Sequence, residues 1–272
     1  MKLRWRDDFR ARDELRQNYQ LAPGAQVEVS GINGQLQIET AQTDVSEVTV
    51  IRYARNGAAL HARRIVIEYS PESLRLRIER TGEQDGLRDL EVIERVTLRL
   101  PLQVNLDVSR ISGPVSICDI DGALNISRVS GPVKIGRVGG PVRANGISGS
   151  LSIGDVEDRV EISKISGPIR LKQAVKHLSV SDVSGGISAT IARMDKRGVC
   201  LEGISGPVAL SFKDALDADL SAERIGGGLR LRVPDVTYEG QPKRTAVKAR
   251  IGAGGSPILI SRISGSVRLS RA

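Results

Sequence analysis

The sequence predicts an all-β chain wound as a parallel β-solenoid (a β-helix or β-roll), with two strands per roughly 18-residue coil and an elaborated N-terminal β region. Three observations lead there. A phrase returns every eighteen residues as Ile111-Ser112-Gly113-Pro114, Val129-Ser130-Gly131-Pro132, Ile147-Ser148-Gly149-Ser150 and Ile165-Ser166-Gly167-Pro168. A nonapeptide with apolar first, fifth and seventh positions and Gly at the third fits residues 111–171, where 20 of 21 apolar slots hold Ile, Val or Leu and Ala144 is the exception. Residues eighteen apart also make compatible neighbours: Ser109, Ser127, Asn145, Ser163 and Ser181 form one column, and Asp119, Arg137 and Asp155 another of alternating sign.

Alternation at period two marks strands, because successive side chains point to opposite faces. The odd step from the seventh slot to the next first slot breaks the alternation, so a corner falls there. The repeated Gly either relieves crowding at that corner or supplies a positive φ. Each buried Ile, Val or Leu is worth roughly 1.5–3 kcal/mol, so stacked coils build a core although aromatics are only 3% of the chain.

In chain order, residues 1–20 are charged and carry Trp5 and Phe9 at helical spacing, which predicts a short arm or a cap over the first coil. Residues 21–272 form a single solenoid domain in three stretches. Residues 21–103 are elaborated coils: Ser30-Gly31-Ile32-Asn33-Gly34 echoes the later phrase, and Ser70-Pro71-Glu72-Ser73 predicts a hairpin turn. Residues 104–183 are the regular repeat. Beyond 184 the phrase heads Val183, Ile204 and Ile225 come 21 residues apart and Ile263 comes 38 later, so 193–198 and 234–244 are expected to be edge loops.

The composition excludes several classes. Abundant Gly and β-branched residues describe an ordered β-rich chain, and no apolar run approaches the roughly 18–20 residues of a membrane helix. Residues 1–8 lack the apolar core of a signal peptide. With two cysteines, Cys118 and Cys200, read as free thiols, the expected location is cytoplasmic as the sequence stands, or the cell envelope or surface if a leader or anchor has been removed.

The residues predict no enzyme, no cofactor and no metal site. Calcium-binding nonapeptide rolls need an Asp and paired Gly in every unit, and the acids here are sporadic. Asp119 with Asp121, or Glu157 with Asp158, would be the carboxylate pairs of a carbohydrate-acting enzyme, a distant alternative, but they fall at corners as solvated charges. The histidines, His61 and His177, are far apart in sequence, and neither cysteine has a second cysteine nearby. Gly226-Gly227-Gly228 precedes a strand rather than a helix, so it is no phosphate loop.

The Ser-Gly-x-Val-x-Ile units, preceded by the Asn-Gly-x-Leu-x-Ile pattern from Asn33 to Ile38 and an alternating stretch with Val48 and Val50, resemble the bacterial putative-adhesin domain family over roughly residues 21–270. The resemblance implies a β-solenoid and an adhesion or surface-attachment role. It transfers no catalytic or binding residues.

Charge supplies the functional lead. Residues 222–272 hold ten Lys or Arg against three acids, within a chain of net charge +8. Arg230, Arg232, Lys243, Arg244, Lys248 and Arg250 are the expected anion-binding patch, for an anionic polymer or membrane-surface lipid. Nucleic acid is disfavoured because Tyr238 is the one aromatic there. The last strand, Ser266, Val267, Arg268, Leu269 and Ser270, is expected to be an uncovered edge through which a second copy pairs. The leading expectation is thus a non-enzymatic adhesion or binding module, with a self-assembling scaffold as the alternative.

Overall fold

In the computed structural model residues 11–81, 92–214, 216–243 and 245–272 are described. They open with β1 (Ala11–Gln20), β2 (Ala25–Ser30), β3 (Gly34–Ala41), β4 (Val45–Ala54), the short α1 (Gly57–His61), β5 (Arg63–Ser70), β6 (Ser73–Arg80) and β7 (Val92–Pro101). The regular repeat holds β8 (Val104–Ile111), β9 (Val115–Ile117), β10 (Leu124–Val129), β11 (Val133–Ile135), β12 (Val142–Ile147), β13 (Leu151–Val156) and β14 (Val160–Ile165). The chain ends with β15 (Ile169–Val183), β16 (Ile187–Ile204), β17 (Val208–Phe212), β18 (Ala218–Ile225), β19 (Leu229–Arg232), β20 (Val236–Tyr238), β21 (Ala246–Ile251), β22 (Ser256–Ile263) and β23 (Val267–Arg271).

The eighteen-residue period becomes the hydrogen-bond register. Leu106, Leu124, Val142, Val160 and Leu178 pair in parallel along one row of strands. Val115, Val133, Leu151, Ile169 and Ile187 do so along a second. Single bridges Ile120 to Val138 and Val138 to Val156 add a short third line between the rows. The inward Ile, Val and Leu of both rows merge into one buried cluster. Because β15 and β16 each run from the second row into the first, all the strands belong to one 23-stranded sheet.

Glycine at the corner serves close approach rather than positive φ. A Cβ on Gly131 would lie 2.4 Å from the backbone of Gly113, and one on Gly149 would lie 2.4 Å from that of Gly131. Backbones stacked this closely leave room for hydrogen alone.

In both the N-terminal and the C-terminal part of the chain, two strands are enclosed inside the rows. On the first row β2 lies between β6 and β8, and on the second β3 lies between β7 and β9. At the far end β22 lies between β16 and β18, and β23 between β17 and β19. The phrase heads therefore run in space as Val183, Ile204, Ile263, Ile225. Antiparallel strands finish the rows: β5 beside β6, β4 and β1 beside β7, and β21 with β20 beside β18.

Several expectations change here. Of the expected arm or cap at 1–20, Trp5 and Phe9 lie outside the described residues, and 11–20 form an edge strand that extends the second row. Residues 193–198 fall inside β16, whose Arg193 and Met194 pair with Val175 and Lys176 across a bulge, so they are not an edge loop. Within 234–244, Val236–Tyr238 is a strand of the closing hairpin. The hairpin at 70–73 forms as the sequence reads, with Ser70 opposite Ser73.

At the N-terminal end, Glu94 is fully buried and its carboxylate accepts from the Arg63 guanidinium and from the Asn33 amide at 2.6 Å. This pair joins β5 to β7 and to the turn between β2 and β3. Removing one partner of such a pair leaves an uncompensated buried charge.

Candidate functional site

On the second row, outward side chains fall on a single register line. Ser116, Lys134, Ser152, Arg170, Ser188, Ala209, Arg268 and Arg230 follow one another from β9 to β19. The line holds no acid; its four cations are exposed, and among the described residues none forms an ion pair. Between Arg170 and Arg268 a shallow cleft of about 380 Å³ runs over Ser188 and Ala209, walled by Pro168 and Pro207. Small residues between long cations leave the guanidinium groups free to turn toward a ligand.

The first row is arranged differently. Arg75 bonds Glu28 at 2.6 Å and Glu68 at 3.0 Å, and Arg143 bonds Glu161 at 2.9 Å. Several of its charges thus pair with one another, whereas the cations of the second row's line have no ion pair among the described residues.

A second line of cations borders the first row at the corner. Each parallel pairing there skips one residue, as between Ser127 and Val129 or Ser163 and Ile165. The skipped residue takes a left-handed backbone: Arg110 (φ 56°), Arg128 (φ 53°), Gly146 (φ 67°), Lys164 (φ 55°), Asp182 (φ 56°), Gly203 (φ 66°), Arg262 (φ 56°) and Arg224 (φ 57°). An L side chain there crowds the following carbonyl, which is why Gly is the usual occupant and Asn or Asp the tolerated ones. Five of these positions nevertheless hold Arg or Lys. Arg110 reaches the Ser30 hydroxyl at 3.1 Å and Arg262 pairs with Glu202 at 2.9 Å; Arg128, Lys164 and Arg224 have no ion pair among the described residues.

The structure divides the patch read from the sequence. Arg230 and Arg232 project from β19 in the second row, but Lys248 and Arg250 lie on β21 beside the first. Arg250 is held 3.4 Å from Asp219, and Lys243 lines a separate cleft of about 260 Å³ with Tyr238 and Pro242. Arg244 lies outside the described residues. The five described residues are therefore spread over β19, β21 and the segment between β20 and β21.

The expected edge is also relocated. Val267 pairs with Val208 on one side and Leu229 on the other, and Leu269 with Leu210 and Leu231, so Ser266, Val267, Arg268, Leu269 and Ser270 lie inside the row. The outermost strand there is β19, which pairs with β23 alone. The reason is topological: the last coil in sequence is the penultimate one in space.

The acidic columns are solvated, as read, though the partners differ. Arg137 bonds Asp121, and Glu157 at 2.9 Å, with its side chain, while its amide donates to Asp119 at 2.7 Å; Asp155 pairs with Lys172 at 2.9 Å. His177 Nδ1 lies 2.8 Å from the Gly198 carbonyl. Burial, then Glu202, pushes the Cys200 thiol up. Among the described residues no cluster of His, Cys, Asp or Glu is arranged to hold a metal, and no helix is long and apolar enough to cross a membrane.

Lys134, Arg170, Arg128 and Lys164 lie outside the C-terminal stretch that local charge density picks out, and register alone brings them into line. A signal for them is in the sequence: Arg128 and Lys134, Lys164 and Arg170, Arg224 and Arg230, and Arg262 and Arg268 are each six residues apart across the repeated corner phrase.

Among known proteins, the family model Toastrack DUF4097 matches residues 88–270. Two solved structures from Parabacteroides distasonis are similar in fold, each at 15% identity and a TM-score of 0.44 over 94% of this chain: a protein described as a putative adhesin, 97% covered, and one described as a putative lipid binding protein, 96% covered. A putative adhesin from Bacteroides fragilis is similar over 74% of this chain and 97% of its own, at 15% identity and a TM-score of 0.37. No curated protein matches the chain.

Proposed function

Given that this chain belongs to the Toastrack DUF4097 family, we propose that it is a non-enzymatic binding module of the adhesion type that attaches to anionic macromolecules. Taken as a solenoid with two outward strand faces per coil, it presents one face on which cations alternate with acids and several pair with them, and one with a line of unpaired cations. The supporting observation is the line of Lys134, Arg170, Arg268 and Arg230, exposed, without acids and without ion pairs among the described residues. Cations at fixed spacing on a rigid sheet need no reordering to meet an anion, which lowers the entropic cost of binding.

The test is retention of the whole chain on immobilised acidic and neutral polymers at low and high salt. Salt-sensitive retention on acidic polymers, lost when Lys134, Arg170, Arg268 and Arg230 are changed together to Ser, is the expected result. Equal behaviour on acidic and neutral polymers would overturn it.

The scaffold reading keeps one observation in its favour. The free edge of β19 and the edge strand β1 run in the same direction, since β1 and β7 are each antiparallel to β4 and the second row is parallel from β7 to β19. Copies stacked head to tail would continue the row. Mass that rises with concentration and falls on Leu231→Pro supports this reading; a constant mass removes it.

A further inference from the structure

We infer that the corner between the two rows is a binding track for a linear acidic glycan, gripped by cations in pairs, one from the left-handed position and one from the second row's outward line. This rests on the anion-binding reading above and names the ligand and further residues for it.

The pairs are Arg128 with Lys134, Lys164 with Arg170, Arg262 with Arg268, and Arg224 with Arg230. The two lines change together. Where the left-handed residue is Gly146, Asp182 or Gly203, the partner six residues on is Ser152, Ser188 or Ala209. Arg110, followed by Ser116, is the exception. Packing alone does not require this matching, because both positions point to solvent.

The backbone argues in the same direction. Gly146 and Gly203 show that the position accepts the residue that fits it without strain. Keeping Arg or Lys there retains strain in order to project a cation, and retained strain of this kind is a mark of function. Of the eight paired cations, seven are free of ion pairs among the described residues, and Arg262 alone is engaged, by Glu202. One acid, Asp182, occupies a left-handed position of the track itself, between Lys164 and Gly203, whereas Glu202 and Glu223 stand on the first-row side of the corner.

Between the lines runs a hydroxyl ladder, Ser130, Ser148, Ser166, Ser184, Ser205 and Ser264, all exposed at the corner. Coils repeat every ~4.8 Å, so the track from Arg128 to Arg224 is about 29 Å long. A narrow line of cations flanking hydroxyls matches a polymer that carries both oxyanions and hydroxyls. A bilayer would be met by a broad patch with apolar wedges, whereas the exposed large apolar residues are scattered: Val45 and Tyr69 on N-terminal strands, Leu259 on β22, and Tyr238 on β20 in the cleft beside β19. Base stacking along the track would need a series of aromatics, and Tyr238, at its β19 end, is the one exposed aromatic near it among the described residues.

The test compares the whole chain with two sets of variants: Arg128→Gly, Lys164→Gly and Arg224→Gly together, and the four Ser changes on the second-row line. Probes are heparin, polygalacturonate, oligodeoxythymidylate, and phosphatidylcholine vesicles one-third phosphatidylglycerol. The Gly set is expected to melt at a higher temperature than the parent yet bind heparin or polygalacturonate about tenfold or more weakly, with a shallower salt dependence. A set with Asn at the same three positions, which tolerates the left-handed backbone, should show the same loss. Lys164→Arg should bind as the parent does. Unchanged glycan binding in both the Gly and Asn sets overturns the track; if the second-row variant still loses binding, the broader reading stands, and if it too is unchanged, that reading fails as well. Binding to vesicles or oligodeoxythymidylate in preference to both glycans overturns the ligand assignment.

Discussion

The hydroxyls of Ser211 and Ser270 lie 3.3 Å apart across the join between β17 and β23, although 59 residues separate them in sequence. This contact fastens the end of the chain inside the stack. The Val267 amide donates to the Gly228 carbonyl at 3.0 Å, and the Val208 amide donates to the Ser266 carbonyl at 2.8 Å. Val267→Pro removes a ladder donor and places a ring inside a row paired on both sides. It is expected to lower stability by about 1–3 kcal/mol through the Gly228 carbonyl left unpaired, with the ring's clash added to that. Urea unfolding of variant and parent decides it; a change under about 1 kcal/mol, as typical of surface sites, would mean that β23 is not held between β17 and β19.

Corner glycines predict a graded response. A Cβ on Gly131 would meet the Gly113 backbone at 2.4 Å, whereas one on Gly24 meets nothing within 4 Å although its φ is 81°. Gly131→Ala forces coils apart and should cost about 1–3 kcal/mol, the scale of overpacking. Gly24→Ala meets backbone strain alone and should cost about 1 kcal/mol. Thermal melts of the two variants side by side would show the order; the reverse order removes the close-approach argument.

Arg63→Ala isolates the fully buried Glu94 carboxylate, leaving it the Asn33 amide as partner. Breaking a buried pair from one side typically costs about 3–5 kcal/mol, more than an exposed pair such as Arg143 with Glu161. Denaturation of Arg63→Ala beside Arg143→Ala measures the contrast, and similar small losses would show that water reaches Glu94.

Acid sensitivity should have a local component at Asp158 and Asp195. For both, burial raises the carboxyl, but it is outweighed: at Asp158 by the Arg159 amide and Lys176, and at Asp195 by the side chain and amide of Arg197. The net direction is down for both. A carboxyl depressed in the folded state contributes stability above its unfolded value near pH 4, and that contribution is lost as pH falls through the folded value. The double change Asp158→Asn and Asp195→Asn should flatten the acid limb of a stability-against-pH curve while changing stability at neutral pH by less than about 1 kcal/mol, since both sites are at the surface. An acid limb as steep as the parent's would refute the assignment.

The sequence by itself determined the repeat, the inward residues and the corners, because a period of eighteen and an alternation of two depend on side-chain chemistry that each residue carries alone. It also held the cation pairs, as a six-residue spacing across a repeated phrase. Only the tertiary structure decided which strand ends the stack, since β18 and β22 both present apolar inward faces and pairing order depends on where the connecting chain can reach. For the same reason Arg230 and Lys248, close in sequence, fall in different rows, while Arg170 and Arg268, far apart in sequence, border one cleft. The left-handed backbone beneath Arg128 and Lys164 was likewise invisible in the letters, because it is imposed by the corner that the stacked coils must turn and not by any preference of arginine or lysine.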